Sequence, residues 1–245
     1  MRLRHIRLRP TRTPAVVLAL VVATSLTACS GGDKQAEVKK LTAAEQLASA
    51  KAKADAATSL HLTLRSSGIP ETANGVLAAD GSGTHAPAFK GTLDARIAGF
   101  AAKVDVVAID QLLYLKLPFT TDFTEADPKE YNAPNPALLF AKEGGITSLM
   151  TATTNLVEGE ATRSGADVLR TITGKLPGAN IVKLLNFGDG AKTFDVTYGI
   201  TDPGGELRNV TLVGPFFKSG TSTPVMSTYV LTLDKYGAPV EISKP

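Results

Sequence analysis

Short segments that alternate apolar and polar residues recur from residue 60 to the end of the chain. In the clearest one, Phe89, Leu93 and Ile97 alternate with charged residues such as Lys90 and Asp94. A period of two places apolar side chains on one face of a β-strand and polar side chains on the other. Because the connections between these segments are short, they favour antiparallel hairpins over crossover helices.

The alternating segments predict about nine or ten strands. The dipeptides Asn74-Gly75 and Asp80-Gly81 are typical of turns and bracket a short predicted strand over 76–79. The other predicted strands cover 60–64, 89–97, 104–108, 113–117, 157–162, 168–173, 194–200, 207–216 and 225–233, with a last short piece at 240–242. A sheet of this size twists and curls, which predicts a barrel or half-barrel of the α+β class.

Four segments have the composition of helices. The first covers 41–59, where Thr42 and Glu45 have the spacing of a capping box. Shorter helices are predicted over 137–141, 146–155 and 177–185, and these would cover the concave face of the sheet. Gly144-Gly145 lies between two of them and is a candidate hinge.

The N-terminus predicts where the protein is located. Five arginines precede an apolar run over 15–26, which is too short to cross a bilayer and ends in the lipobox Leu26-Thr27-Ala28-Cys29. We interpret 1–28 as a lipoprotein signal peptide, Cys29 as the acylated residue, 29–40 as a solvated tether and 41–245 as the folded domain. The alternative is an ordinary secretory signal with an incidental cysteine. The first interpretation predicts an extracytoplasmic protein, anchored to the outer face of the plasma membrane by its lipid.

Charge argues against nucleic-acid binding. Five of the 26 Lys and Arg residues lie in the signal, whereas all 23 Asp and Glu residues follow it, so the remaining chain carries a net charge of about −2. A nucleic-acid-binding surface needs a basic patch. Cys29 is the only cysteine, so no disulfide can form within the chain.

The residues that could carry catalysis are few. After the signal there are two histidines, His61 on the polar face of a strand and His85 in a predicted turn. A hydrolase would need one of them beside a serine and a carboxylate. Glu158 and Glu160 could form a glycosidase pair on one strand face, although acidic pairs on exposed strands are common. No spacing indicates a metal or phosphate site, so the sequence predicts neither an enzyme nor a cofactor.

The order of several motifs resembles the LppX/LprG family of actinobacterial cell-envelope lipoproteins. The likeness covers nearly all of the chain after the signal. It is carried by the lipobox, Ser59-Leu60-His61-Leu62-Thr63-Leu64, Leu112-Leu113-Tyr114-Leu115-Lys116, Asp127-Pro128, Asn135-Pro136-Ala137 and Gly145-Ile146-Thr147-Ser148-Leu149.

The resemblance implies a half-barrel with helices over its concave face and an apolar cavity between them. It also implies a carrier that holds the acyl chains of envelope lipids or glycolipids, with no catalytic residues, and an exporter as a further partner. From their inward positions, the predicted cavity residues are Leu93, Ala95, Ile97, Leu139, Ile146, Leu149 and Leu185. Small inner residues such as Gly91 and Ala95 are expected to leave space. The rival prediction is an accessory or structural lipoprotein of an export complex with a filled core.

Overall fold

The structure is a computed structural model that describes residues 40–97, 99–131, 133–219 and 223–245. The predicted signal peptide, Cys29 and the predicted tether up to residue 39 lie outside the described residues. Residues 40–245 form one compact unit.

A single antiparallel sheet of twelve strands dominates this unit. Its spatial order is β6-β5-β4-β3-β2-β1-β12-β11-β10-β9-β7, with β8 paired to β9. The strands are β1 Ser59–Ser67, β2 Gly75–Thr84, β3 Ala88–Ile97, β4 Phe100–Ile109, β5 Leu112–Lys116, β6 Thr124–Ala126, β7 Thr154–Glu158, β8 Thr162–Ser164, β9 Asp167–Pro177, β10 Thr193–Thr201, β11 Leu207–Ser219 and β12 Thr223–Asp234. The sheet is curled but not closed, which confirms the predicted half-barrel.

The two halves of the chain meet in the middle of the sheet. β1 pairs with β2 on one side and with β12 on the other, where Leu64 lies opposite Leu231. Leu60 and Leu62 on β1, and Leu231 and Leu233 on β12, are all buried. The period-two pattern therefore correctly predicted which face is buried in these strands.

Six short or medium helical segments accompany the sheet. The α-helices are α1 Ala43–Ala56, α2 Leu149–Ala152 and α3 Gly178–Leu185, and the 3₁₀ helices are Pro128–Tyr131, Pro136–Phe140 and Ile146–Ser148. The predicted capping box is present, because Thr42 accepts from the Glu45 backbone N–H and Glu45 accepts from the Thr42 backbone N–H. Leu47, Ala50 and Ala54 form the buried stripe of α1.

The 3₁₀ helix Pro136–Phe140 is packed against the concave face through its last residue. The ring of Phe140 stacks on that of Phe89, with centroids 5.9 Å apart. Asn135 caps this helix by accepting from the Ala137 backbone N–H. The imidazole of His85 lies within hydrogen-bond distance of the carbonyl oxygens of both Phe140 and Ala54, so it links this helix to α1.

Four local expectations were wrong, one of them the strand over 157–162, which residues 159–161 interrupt between β7 and β8. Asp80-Gly81 is not a turn but lies inside β2, because Gly81 leaves room for the Phe89 ring, which would be 2.5 Å from a Cβ there. The predicted helix over 146–155 ends at Ala152, and Thr154 begins β7. Residues 240–242 form no strand. The short edge strand β6 was missed, since its three residues show too little periodicity.

Candidate functional site

An apolar cavity of about 520 Å³ opens at one end of the sheet. The sheet contributes side chains from β2, β3, β4, β5 and β11, and the segment between the first two 3₁₀ helices covers them. Its apolar and aromatic lining residues include Val76, Leu93, Ala95, Ile97, Val104, Leu113, Leu115, Tyr131, Pro134, Phe187 and Phe217. This volume lies within the range of about 300–1,000 Å³ that small-molecule sites occupy.

A second, smaller cavity lies deeper between the sheet and the helices. It measures about 90 Å³ and is lined almost entirely by apolar side chains, among them Leu62, Phe89, Phe140 and Leu212. Val76, Leu93, Pro134, Pro136 and Phe187 border both cavities. The interior is therefore filled at its centre and open toward one end.

Six of the seven residues predicted to line a cavity do border one. Leu93 lines both cavities, Ala95 and Ile97 line the larger one, and Leu139, Ile146 and Leu185 line the deeper one. Leu149 is buried in α2 and is not among the lining residues of either cavity. Binding of lipid by these residues stays a prediction.

Gly91 does not leave free space, contrary to expectation. A Cβ built on it would lie 2.8 Å from the Phe89 ring and 2.2 Å from the Asp80 carbonyl oxygen. The volume that its missing side chain leaves is therefore occupied by its own neighbours. The space at Ala95 is real, since this residue borders the larger cavity.

Aromatic residues that the sequence reasoning missed form the wall between the two cavities. The Phe187 ring lies 5.8 Å from those of Phe216 and Phe217 and 5.9 Å from that of Tyr229. The register of β11 against β12 shifts between Pro215 and Phe217. Because this bulge interrupts the alternation, the consecutive residues Phe216 and Phe217 both pack against the core. In the sequence, the adjacent phenylalanines at 216 and 217 were the signal from which this aromatic wall could have been predicted.

Tyr229 brings a polar group to the deep cavity. Its side chain is buried, and its hydroxyl has no hydrogen-bond partner among the described residues. Burial raises the pKa of this phenol, so it is a neutral potential donor. A buried hydroxyl without a partner is costly, which makes this position a natural contact for a ligand acceptor.

A polar recess of about 600 Å³ adjoins the larger cavity. Asn186 borders both spaces. The recess carries three carboxylates, Glu125, Asp127 and Glu130, against one ammonium group, that of Lys129. Its chemistry therefore suits uncharged hydroxyl groups and opposes anions.

The candidate catalytic residues have structural partners. The His61 ring nitrogens lie 2.6 Å from Asp234 and 3.2 Å from Asp80. Both His85 ring nitrogens face backbone carbonyl oxygens, at 2.6 and 2.9 Å. Neither histidine thus has a ring nitrogen that is directed at a serine.

The proposed acidic pair is not formed either. Glu158 accepts hydrogen bonds from Lys40 and from the Gln46 side chain. Glu160 lies beyond the end of β7 rather than on its face, contrary to expectation. The carboxylate of Glu158 therefore fastens the start of α1 to an edge strand.

The two glycines of the candidate hinge differ. A Cβ on Gly145 would lie 2.0 Å from the Ala141 carbonyl oxygen, so close packing requires this glycine. Gly144 has a φ of +75° and open space around it. The hinge stays a prediction. A side chain added at Gly144 would meet no neighbouring atom, but the positive φ would strain any residue other than glycine.

Among the described residues, no helix is both long and apolar enough to cross a membrane. The unclosed antiparallel half-barrel and its helical cover surround an apolar cavity whose volume lies in the range of small-molecule sites. The sequence matches the model of the LppX_LprAFG lipoprotein family over residues 42–242. The chain belongs to this family, as the order of its motifs predicted.

Solved structures share the fold at low sequence identity. LprF from Mycobacterium bovis aligns with a TM-score of 0.67 and 17% identity, covering 83% of this chain and 96% of its own. The Mycobacterium tuberculosis lipoprotein LppX aligns with a TM-score of 0.59 and 20% identity, covering 82% and 98%. No curated protein matches the sequence. Membership of a lipoprotein family implies an extracytoplasmic, membrane-anchored protein and favours a lipid-binding carrier over an enzyme.

Proposed function

We propose that this protein binds the acyl chains of an envelope lipid or glycolipid in its open apolar cavity and carries them across the periplasm-like space toward the outer envelope. The observation that carries the proposal is the cavity of about 520 Å³ whose lining is dominated by aliphatic and aromatic side chains. Family membership supports it independently.

Apolar burial supplies the affinity in this proposal. Each methylene that leaves water contributes about 0.8 kcal/mol, so an acyl chain needs no specific polar contact to bind. Affinity then increases with chain length until the cavity is filled. Because Phe187 borders both cavities, its movement would give the chain access to the deeper space.

Polar groups in two places would select the rest of the lipid. The recess with Glu125, Asp127 and Glu130 adjoins the cavity and suits a hydroxyl-rich, uncharged headgroup. Within the interior, the Tyr229 hydroxyl can donate to an ester carbonyl. Together they favour an esterified lipid with sugar or glycerol hydroxyls over a free fatty acid or a lipid with several phosphates.

The membrane anchor in this proposal is the lipid on Cys29, joined to the domain by residues 29–40. Anchorage by two or three acyl chains is stable, whereas a single chain binds only marginally. The tether then separates the anchor from the cargo site. An exporter that supplies the lipid remains a further partner in the proposal.

The test is mass spectrometry of lipid that copurifies with the chain from Ser30 onward, produced in an actinobacterial host and isolated without detergent. We expect stoichiometric di- or triacylated lipid. Ala95→Phe should abolish it by occupying the cavity. Ala161→Phe is the matched control, because Ala161 is an exposed residue between β7 and β8 that borders neither cavity.

Circular dichroism must show that both variants are folded. A folded wild-type protein that holds no lipid and takes up no acyl probe would refute the proposal. Lipid retained by a folded Ala95→Phe variant would place the binding site elsewhere.

The second candidate is an accessory lipoprotein of an export complex with a filled core. One observation favours it, namely that the deeper cavity measures only about 90 Å³. The copurification experiment distinguishes the two functions, because an accessory protein would copurify with membrane proteins and without lipid.

A further inference from the structure

Several large apolar side chains are exposed at one end of the sheet. Phe100 is 79% exposed at the start of β4, and Phe119 is fully exposed after β5. Leu117 and Met226 are also exposed. Exposure of isolated apolar residues is ordinary, but a group of them at one end of a sheet is not.

The register shows that these residues share the end at which the cavity opens. Phe100 lies opposite Ile97, a cavity residue at the end of β3. β5 runs antiparallel to β4, so Leu117 and Phe119 follow it toward the same end. Met226 on β12 lies beside the Gly68 backbone, just after the end of β1. The exposed side chains therefore lie at the end of the sheet at which the cavity opens.

The apolar surface is continuous from the cavity to the two exposed tips, residues 99–102 and 117–121. Phe100 follows the alternation of Val104, which lines the cavity, and of the partly buried Ala102. Leu117 follows Leu113 and Leu115, two further lining residues, at alternate positions. An acyl chain that entered along either strand would contact apolar side chains throughout.

Charge is absent from the tips themselves and balanced behind them. Residues 99–102 and 117–121 contain no charged residue. Behind them, Lys103 lies opposite Asp94 and Lys116 lies opposite Asp105, while Arg96 opposite Ala101 and Asp122 after the second segment add one charge of each sign. Such a surface suits insertion into the apolar boundary of a bilayer more than electrostatic adsorption to it.

We propose that Phe100 and Phe119 insert into the bilayer and dock the cavity mouth against the membrane, so that lipid passes between bilayer and cavity without crossing water. Two separate aromatic tips on neighbouring hairpins resemble paired anchors rather than a flat protein-binding patch. This proposal rests on the proposed carrier function, because docking would serve lipid transfer. The positions of Phe100 and Phe119 do not depend on which lipid is carried.

The chain contains no tryptophan, so a single introduced tryptophan reports its own surroundings. Phe100→Trp and Phe119→Trp are made in the full chain and reconstituted in phosphatidylcholine vesicles. Val157→Trp is the matched control, because Val157 is 60% exposed on the edge strand β7. Vesicles with brominated acyl chains should quench F100W and F119W and shift their emission to the blue, while V157W stays unquenched. High salt should leave the quenching unchanged.

Brominated lipid bound inside the cavity would also quench these tryptophans. The measurement is therefore repeated with Ala95→Phe added, which is expected to keep lipid out of the cavity. Retained quenching supports docking. Quenching lost in that background, or no stronger for F100W and F119W than for V157W, overturns the proposal and leaves a protein partner as the occupant of this surface. The carrier function is tested separately by copurified lipid, so either proposal can fail alone.

Discussion

The ring of Phe140 lies directly over the backbone of Gly83. A Cβ placed on Gly83 would be 2.4 Å from two ring carbons of Phe140. Gly83 belongs to the central part of the sheet, and Phe140 ends the 3₁₀ helix that covers it. The 3₁₀ helix that covers the sheet therefore packs, through Phe140, on the backbone of a glycine rather than on a side chain.

Gly83→Val should displace Phe140 and lower the free energy of unfolding by about 1–3 kcal/mol, the usual cost of overpacking. Urea unfolding followed by circular dichroism measures this. Ser82→Val, on the opposite face of the same strand, is the control and should change stability less. Adding Phe140→Leu to Gly83→Val should recover part of the loss. Equal effects of Gly83→Val and Ser82→Val would contradict the packing explanation.

Phe187→Ala should join the two cavities, because this ring borders both. The copurified lipids are then expected to shift toward longer or additional acyl chains, as mass spectrometry would show. Truncating a fully buried phenylalanine costs about 3–5 kcal/mol, and the partly exposed Phe187 should cost less. Val157→Ala serves as a surface control that leaves the lipid profile unchanged. An unaltered profile for Phe187→Ala would show that the ring does not limit the cargo.

Two buried tyrosines should respond differently to loss of the hydroxyl. Tyr198 lies 2.7 Å from Thr153 Oγ1, which itself donates to the Leu149 carbonyl oxygen, so the Tyr198 hydroxyl is the donor. Tyr198→Phe should therefore lower stability by about 0.5–1.5 kcal/mol. The Tyr229 hydroxyl has no partner among the described residues, so Tyr229→Phe should cost little or be stabilising.

The same Tyr229→Phe variant tests the ligand contact. Its affinity for an ester lipid should fall by roughly threefold to tenfold, the equivalent of one neutral hydrogen bond. Tyr198→Phe, which lies outside both cavities, should leave that affinity unchanged. Titration with a fluorescent acyl ester measures both, and equal affinities for all three proteins would refute the contact.

Acid should remove one surface contribution to stability. Arg170 donates two hydrogen bonds to Asp202, at 2.9 and 2.8 Å, and this pairing lowers the pKa of the carboxyl. The stabilisation is complete above the unfolded pKa of about 4 and is lost as the pH falls through the lower folded value. The contribution is small, because the pair is exposed.

Asp202→Asn should accordingly be less stable than the wild type at pH 7, with the difference decreasing toward pH 2. Thermal unfolding across that range checks the sign. Asp122→Asn, an exposed carboxylate bonded only to its neighbour Thr121 in the described structure, is the control. A stability difference that does not change with pH would contradict the assignment.

Local patterns predicted much of this fold because they reflect local physics. The alternation at 89–97 places Phe89 inward and Lys90 outward whatever the rest of the sheet does. The capping box of Thr42 and Glu45 needs only four consecutive residues. Family membership also followed from the order of motifs along the chain.

Three of the failures arose from packing between strands, which local composition does not show. Asp80-Gly81 has a turn composition, yet the strand continues through it because a phenylalanine from β3 occupies the glycine's empty side. Gly91 was expected to leave space for the same local reason, but the β2 backbone at Asp80 and Gly81 and the Phe89 ring fill it. The bulge at Phe216 reverses the simple alternation in β11.

By itself the sequence determined the class of fold, its buried strand faces and the lipoprotein family, because each depends on periodicity or on motifs that neighbouring residues carry. Only the tertiary structure decided where the interior is open. A cavity is the volume that packing leaves, and this volume depends on how Phe89, Phe140 and Phe187 pack after strands far apart in the chain have met. The position of Phe100 and Phe119 at the end of the sheet at which it opens is likewise a result of register, which no single segment contains.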